Sequence, residues 1–174
     1  MFLSTDSPTD QDEGTYSPTI ILLIVFLIAM FILQVIIGVN HIVSGSMEPT
    51  IMTGDFTISS RQYYKNHPVS RGDIIIFKMD KDLVTKRVIG LPGETVSFEN
   101  GYVYINGEQL DETAYIPEET KTICLMVFQV PENSYFVLGD NRENSFDSRY
   151  WGDPYVNRKA IIGKAIHIYH VARF

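Results

Sequence analysis

An apolar run near the N-terminus most constrains the fold of this chain. The run extends from Ile20 to Val39, and its only polar member is the uncharged Gln34. A helix of this length crosses a hydrocarbon core of about 30 Å. A cleaved leader would have a basic start, a shorter apolar core and a following Ala-x-Ala site, and none of these is present. We therefore interpret residues 20-39 as a retained transmembrane helix.

The polar segment before this run contains acidic residues and no basic ones. Its acids are Asp6, Asp10, Asp12 and Glu13. Its content of Ser, Thr, Pro and Asp predicts a disordered tail over residues 1-19. The positive-inside rule weighs Lys and Arg within about 15–20 residues of a span. Because the first basic residue after the run is Arg61, the rule cannot orient this helix.

The overall composition excludes several classes of function. The net charge is −7 and no run rich in Lys or Arg occurs, so we expect no nucleic-acid partner. The single cysteine, Cys124, cannot form an intrachain disulfide. The chain also has no Cys/His cluster and no His-Glu-x-x-His sequence. We therefore expect neither a metal nor another cofactor.

After residue 40 the sequence predicts strands. Short runs rich in β-branched residues are bounded by Gly, Asp or Pro, and Asn100-Gly101 is typical of a tight hairpin turn. The predicted strands cover residues 56–60, 73–77, 83–89, 95–98, 102–105, 135–138 and 160–171. They indicate one compact, barrel-like β domain over residues 40-174. The expected fold class is therefore mainly β, preceded by one N-terminal transmembrane helix.

Three short sequences contain the residue types of catalytic sites. They are Ser44-Gly45-Ser46-Met47-Glu48-Pro49-Thr50, then Lys86-Arg87-Val88-Ile89-Gly90-Leu91-Pro92-Gly93, and finally Gly139-Asp140-Asn141-Arg142-Glu143-Asn144-Ser145-Phe146-Asp147-Ser148-Arg149. Taken singly, each has an ordinary explanation. Ser-Gly-Ser is typical of turns, a strand lysine usually points to solvent, and polar loops with ion pairs are common on surfaces.

Together, and in this order after an N-terminal anchor, the three sequences resemble bacterial type I signal peptidases. These are Ser/Lys-dyad peptidases that remove leader peptides from exported proteins. The resemblance covers the anchor and nearly all of the remaining chain. It implies a small single-anchor form of the enzyme, and a substrate cut after small residues at sites of the Ala-x-Ala type.

The resemblance also assigns the reacting groups. It implies that Ser46 is the nucleophile and Lys86 the general base. The hydroxyl of Ser44 and the backbone N–H of Ser46 would form the oxyanion hole, and Ser145 would hydrogen-bond and orient the lysine. Other side chains would hold the site together through ion pairs, namely Asp140, Arg142, Asp147 and Arg149, or would line the substrate groove, namely Ile42 and Val84.

The physical chemistry of serine and lysine is compatible with these roles. A serine hydroxyl is a weak nucleophile until a neighbouring base takes its proton. Lysine is such a base only when neutral, and its ordinary pKa is about 10.4. The apolar strand around Lys86 is a suitable place to lower that pKa by burial. A Ser-His-Asp triad is the alternative, because His41 lies five residues before Ser46. We favour the dyad, since no comparable pattern surrounds His41.

These expectations describe a single-pass protein of the cell membrane. We expect residues 1-19 in the cytoplasm, the helix in the lipid bilayer, and residues 40-174 outside, where preprotein signal peptides emerge as the partners. Two alternatives remain open. One is a specialised relative that processes a single secreted or pilus-forming substrate, and the other is a non-catalytic assembly chaperone of the same fold. The interpretation as a chaperone predicts that Ser46 or Lys86 has been lost, but the sequence retains both residues.

Overall fold

A single long helix precedes the β-rich part of the chain. The computed structural model describes residues 17–172, so most of the tail predicted to be disordered lies outside the described residues. Helix α1, Pro18–Ile36, is the one helix in the described range that is long and apolar enough to cross a membrane. It ends three residues before the predicted span does, because residues 37–39 pair in a β-sheet. The chain divides between Gln34 and Val35 into two compact units.

The second unit contains, in the described range, eleven strands in two antiparallel sheets. They are β1 Ile37–His41, β2 Phe56–Ser60, β3 Ile74–Met79, β4 Asp82–Gly90, β5 Thr95–Glu99, β6 Tyr102–Ile105, β7 Glu108–Gln109, β8 Phe128–Gln129, β9 Ser134–Leu138, β10 Val156–Asn157 and β11 Ile161–Tyr169. The larger sheet has the order β1-β2-β11-β3-β4-β9-β10, and the smaller has the order β7-β6-β5-β8. The short helical elements are α2 Tyr63–Asn66 and the 3₁₀ turns Gly45–Met47 and Arg158–Ala160.

This mainly β architecture, with an apolar N-terminal helix, confirms the predicted fold class. The larger sheet does not close into a barrel, because β1 and β10 are its outer strands. Strand β4 pairs with β3 from Asp82 to Arg87, but with β9 only from Arg87 onward. Residues 82–86 therefore have one backbone edge without a strand partner, and so does β1.

Three apolar clusters hold these elements in place. One lies on the larger sheet around Ile75, Phe77 and Val88, and a second joins the smaller sheet to β9 around Val96 and Phe136. The third contains Ile42, Met47 and Ile51, and it surrounds the 3₁₀ turn Gly45–Met47. Full burial of each such side chain stabilises the fold by about 1.5–3 kcal/mol. The small third cluster thus fixes the turn on which Ser46 lies.

Candidate active site

Ser46 lies in the middle of a short turn that is anchored on both sides. Before it, Ile42 is buried, and after it, Met47 and Ile51 are almost inaccessible to solvent. The backbone N–H of Ile51 donates to the carbonyl of Met47 at 2.9 Å, which closes the next turn of chain. These contacts leave the half-buried Ser46 side chain with little freedom to move.

Lys86 lies in the middle of β4, and its ammonium group contacts Ser46. Its Nζ donates a hydrogen bond to Ser46 Oγ at 2.6 Å. Only 3% of Lys86 is exposed, and its cross-strand neighbour on β3 is the fully buried Ile75. Burial lowers the pKa of Lys86 to about 8, although the nearby carboxylates of Asp147 and Asp140 oppose this shift. A lysine with this pKa is partly neutral near pH 8, so it can accept a proton from the hydroxyl it contacts.

Ser44 lies beside the same hydroxyl. Its Oγ is 3.4 Å from Ser46 Oγ, and its side chain is exposed. This places a second hydroxyl and the backbone N–H of Ser46 within one turn of chain. A pair of such donors is what an oxyanion needs.

Asn141 is a residue whose contribution the sequence analysis missed. Its backbone N–H donates to the carbonyl of Ser46 at 3.1 Å. Its side-chain amide donates to the carbonyl of Gly45 at 3.0 Å. Asn141 therefore ties the serine turn to the loop after β9, 96 residues along the chain. Its position inside the third motif was the only signal, because sequence alone does not show which backbone groups that loop reaches.

Ser145 is close to the dyad, but it makes no hydrogen bond that would orient the lysine. It is 4% exposed, and its Oγ has no hydrogen-bond partner among the described residues. It packs against Gly139, where an added Cβ would collide with Ser145 Oγ and with the carbonyl of Ser46. The predicted orienting role of Ser145 stays a prediction.

The four predicted supporting residues are all buried and all form ion pairs. Asp147 and Arg149 pair with each other at 2.9 Å, and Asp147 Oδ2 accepts from the N–H of Gly139 at 3.0 Å. Arg149 also donates to the carbonyl of Arg142 at 2.8 Å. This pair therefore braces the chain on both sides of Asn141.

The other two supporting residues pair with partners that the sequence analysis did not select. Asp140 accepts two hydrogen bonds from Arg87, at 2.8 and 2.6 Å, which connects the loop to β4 next to Lys86. Arg142 forms a similar double contact with Glu112, at 2.9 and 2.6 Å. Two-point contacts between arginine and carboxylate fix orientation as well as distance.

A groove of about 370 Å³ leads to Ser46 and Lys86 from one side. Ile42 and Val84, the predicted substrate-binding residues, both line it, and so does Leu83. The groove runs between the chain that follows β1 and the part of β4 that lacks a strand partner on one edge. The structure thus brings the predicted groove residues to the dyad, and their role in binding remains a prediction.

The histidine alternative finds no support in the contacts of Ser46. Among the described residues, the hydrogen-bond partners of Ser46 Oγ are Ser44 and Lys86. The ring of His41 lies in the same groove but packs against Phe56, with ring centroids 4.9 Å apart.

Across residues 17–172, no cluster of three or more metal-ligating side chains is found.

Comparisons with known proteins identify the family. A crystal structure of a signal peptidase I from Enterococcus faecalis V583 has a TM-score of 0.47 and 35% identity, covering 56% of this chain and 97% of that chain. A probable signal peptidase I-2 from a Synechocystis species is 41% identical over 72% of this chain and 60% of its own length. Signal peptidase I of Leptolyngbya laminosa is 39% identical over 92% of this chain and 79% of its own length. The pattern of the signal peptidase family, peptidase S26, matches residues 16–170. Since this match covers most of the chain, the protein belongs to the signal peptidase family and is an enzyme of this type.

Proposed function

We propose that this protein removes N-terminal signal peptides from exported preproteins by cutting after small residues of the Ala-x-Ala type. Ser46 is the nucleophile and Lys86 the general base. The observation that carries the proposal is the 2.6 Å hydrogen bond between Lys86 Nζ and Ser46 Oγ. It joins a hydroxyl to a buried amine whose pKa is lowered to about 8, and that pairing has the geometry of an activated nucleophile.

The proposed reaction has two covalent steps. In the first, Lys86 takes the proton of Ser46 while Oγ bonds to the carbonyl carbon of the scissile peptide. The peptide C–N bond then breaks, and the leaving amine takes the proton from Lys86. In the second step, Lys86 takes a proton from water while the water oxygen attacks the acyl ester, the ester C–O bond breaks, and Ser46 Oγ takes the proton back from Lys86. One base serves both steps, so no cofactor is needed.

Developing negative charge on the carbonyl oxygen needs donors that are already in place. The hydroxyl of Ser44 and the N–H of Ser46 are the proposed donors. The two hydroxyls are 3.4 Å apart, so both lie within reach of one carbonyl group. Asn141 supports this arrangement because it donates hydrogen bonds to the carbonyls of both Gly45 and Ser46 and so fixes the turn. Removal of one such donor typically slows a reaction about a hundredfold to a thousandfold.

The leader peptide is proposed to bind as an added strand. Residues 82–86 of β4 lack a strand partner on the edge that borders the groove, as β9 pairs only from Arg87 onward. An extended peptide can form main-chain hydrogen bonds with such an edge whatever its sequence. Its side chains would then contact Ile42 and Val84, which line the groove together with Ser46 and Lys86.

The anchor gives the proposed location. Helix α1 would cross the cell membrane once, with residues 1-19 in the cytoplasm and the domain of residues 40-174 outside. The apolar character of α1 supports the span. Orientation follows from the proposed substrate, since leader peptides are cut where they emerge from the membrane.

A cleavage assay with the detergent-solubilised full chain tests this function. The substrate is a preprotein with an Ala-x-Ala site, and the matched control has Leu in place of the second Ala. We expect a new mature N-terminus directly after the second Ala, identified by mass spectrometry. The Leu substrate should react at least about tenfold more slowly, because the proposed specificity places a small side chain at this position. Failure to cut any leader, or equal cutting of both substrates, would contradict the proposal.

A further inference from the structure

A second groove also reaches the dyad, and most of its walls come from residues that do not line the leader groove. It has a volume of about 600 Å³ and shares Ser44, Ser46, Val84 and Lys86 with the first groove. Its remaining walls come from the 3₁₀ turn region, the end of β3 and the loop after β9. The side chains that distinguish it are Glu48, Thr53, Met79, Asn141, Asn144 and Phe146.

The position of this second groove indicates what it holds. A peptide bond cut at Ser46 has the leader on one side and the first residues of the mature protein on the other. If the leader occupies the groove at Ile42, the groove at Glu48 is the other described groove that reaches Ser46, and it is where we place the mature segment. Phe146 is 66% exposed there, and it can cover an extended chain. This step rests on the proposed function as a leader peptidase.

Glu48 is the one carboxylate among the described residues that line this second groove. Its carboxyl group lies over Gly45: a Cβ added to that glycine would be 2.9 Å from the carboxyl carbon. Thr53 holds it there, since its backbone N–H and its hydroxyl both donate to Glu48 Oε1, at 3.3 and 3.1 Å. The negative charge is therefore held beside Gly45, the residue directly before Ser46.

Little in the groove offsets this charge. Among the described residues, no ion pair includes Glu48. The only cationic side chain among the groove residues is Lys86, which donates to Ser46 and is neutral when it acts as a base. In the form with neutral Lys86, an acidic side chain entering this groove thus meets a like charge without a compensating cation among the residues that line it.

We propose that Glu48 makes this enzyme select against acidic residues at the first positions of the mature protein. Preproteins whose mature segment begins with neutral or basic residues are the favoured substrates. Two like charges about 4 Å apart in water repel enough to change a rate constant about fivefold. The effect is electrostatic, so it weakens in about 1 M salt, where the screening length is about 3 Å.

The test uses peptides with one leader sequence and with either Asn or Asp at the first, second or third mature position. Asn and Asp have nearly the same shape, so the ratio of their kcat/KM values isolates charge. In the wild-type protein we expect Asp to lower kcat/KM about fivefold at one or more positions, and less in 1 M salt. Glu48→Gln keeps an oxygen for the Thr53 hydrogen bonds, and it should reduce the Asp penalty below about twofold.

Glu108→Gln is the matched control, because Glu108 is exposed on β7 and lines neither groove. It makes the same change in net charge and should retain the full Asp penalty. Equal kcat/KM values for the Asp and Asn peptides in the wild-type protein would refute this inference but not the proposed function. The same holds if the lower kcat/KM of the Asp peptides persists in Glu48→Gln. Failure of the wild-type protein to cut the Asn peptides would refute the proposed function, and this inference with it.

Discussion

The rate of cleavage should follow the loss of a proton from Lys86. With the pKa of Lys86 at about 8, about a tenth of this side chain is neutral at pH 7 and about nine tenths at pH 9. In the proposed mechanism the neutral amine is the base, so kcat/KM should rise about tenfold over this range and level off above pH 9. A lysine with an ordinary pKa of about 10.4 would instead give about a hundredfold rise without a plateau.

The assay measures kcat/KM for a leader-peptide substrate from pH 6 to 10, with the detergent and the ionic strength held constant. A midpoint near pH 8 is the expected result. Continued growth of kcat/KM by about tenfold per pH unit through pH 10 would show that the pKa of Lys86 is not lowered. A flat profile would show that no lysine of this kind limits the reaction.

Protein stability provides an independent check on the same pKa. Burial lowers the pKa of Lys86 in the folded state, so the unfolded state binds more protons between pH 8 and about 10.4. The free energy of unfolding therefore increases as the pH rises through this window, by about 3 kcal/mol in total. Lys86→Met removes the titrating group, so this gain should appear in the difference between wild type and variant. If both show the same pH dependence in chemical denaturation, the lowered pKa is wrong.

Three further changes test separate parts of the site. Gly139→Ala places a Cβ against the carbonyl of Ser46 and should lower kcat/KM at least about tenfold. The control, Gly152→Ala, places its Cβ in open space and should leave kcat/KM unchanged. Equal effects of the two substitutions would contradict the close packing at Gly139. Ser44→Ala should lower kcat about a hundredfold or more with little change in KM, as measured by steady-state kinetics, and an unchanged kcat would exclude Ser44 from the oxyanion hole. Arg87→Ala leaves Asp140 buried without its partner, so it should destabilise the fold by about 3–5 kcal/mol. Arg71→Ala, in a pair whose side chains are 27% and 18% exposed, should cost less than Arg87→Ala in the same denaturation experiment.

The sequence predicted turns and strands well where residues adjacent in the chain determine the backbone conformation. Asn100 and Gly101 have φ values of 53° and 84°, as the predicted tight turn requires. The strand predicted for residues 56–60 is β2. The end of the helix was predicted less well. Residues 37–39 are as apolar as the helix, and only their pairing with residues 58–60 of β2 makes them a strand.

In the candidate site, too, the sequence predicted some residues but not the contacts between distant parts of the chain. Ser46, Lys86, Ile42 and Val84 lie around one groove, and the resemblance to signal peptidases was enough to select them. The roles of Asn141 and Arg87 were not predicted, because each depends on a partner far away in sequence. Such contacts arise only when the loop after β9 packs beside β4. Sequence patterns describe neighbours along the chain, and they do not show which distant backbone group a side chain will reach.

The central claim is that Ser46 and Lys86 together perform the cleavage. Steady-state cleavage of one Ala-x-Ala preprotein by Ser46→Ala and Lys86→Ala tests it most directly, with Ser70→Ala and Lys78→Ala as controls of the same residue types at exposed positions. In both dyad variants kcat should fall by a factor of about 100 to 10,000 while the protein remains folded. Both control variants should retain activity. Substantial cleavage by either dyad variant would contradict the Ser/Lys mechanism.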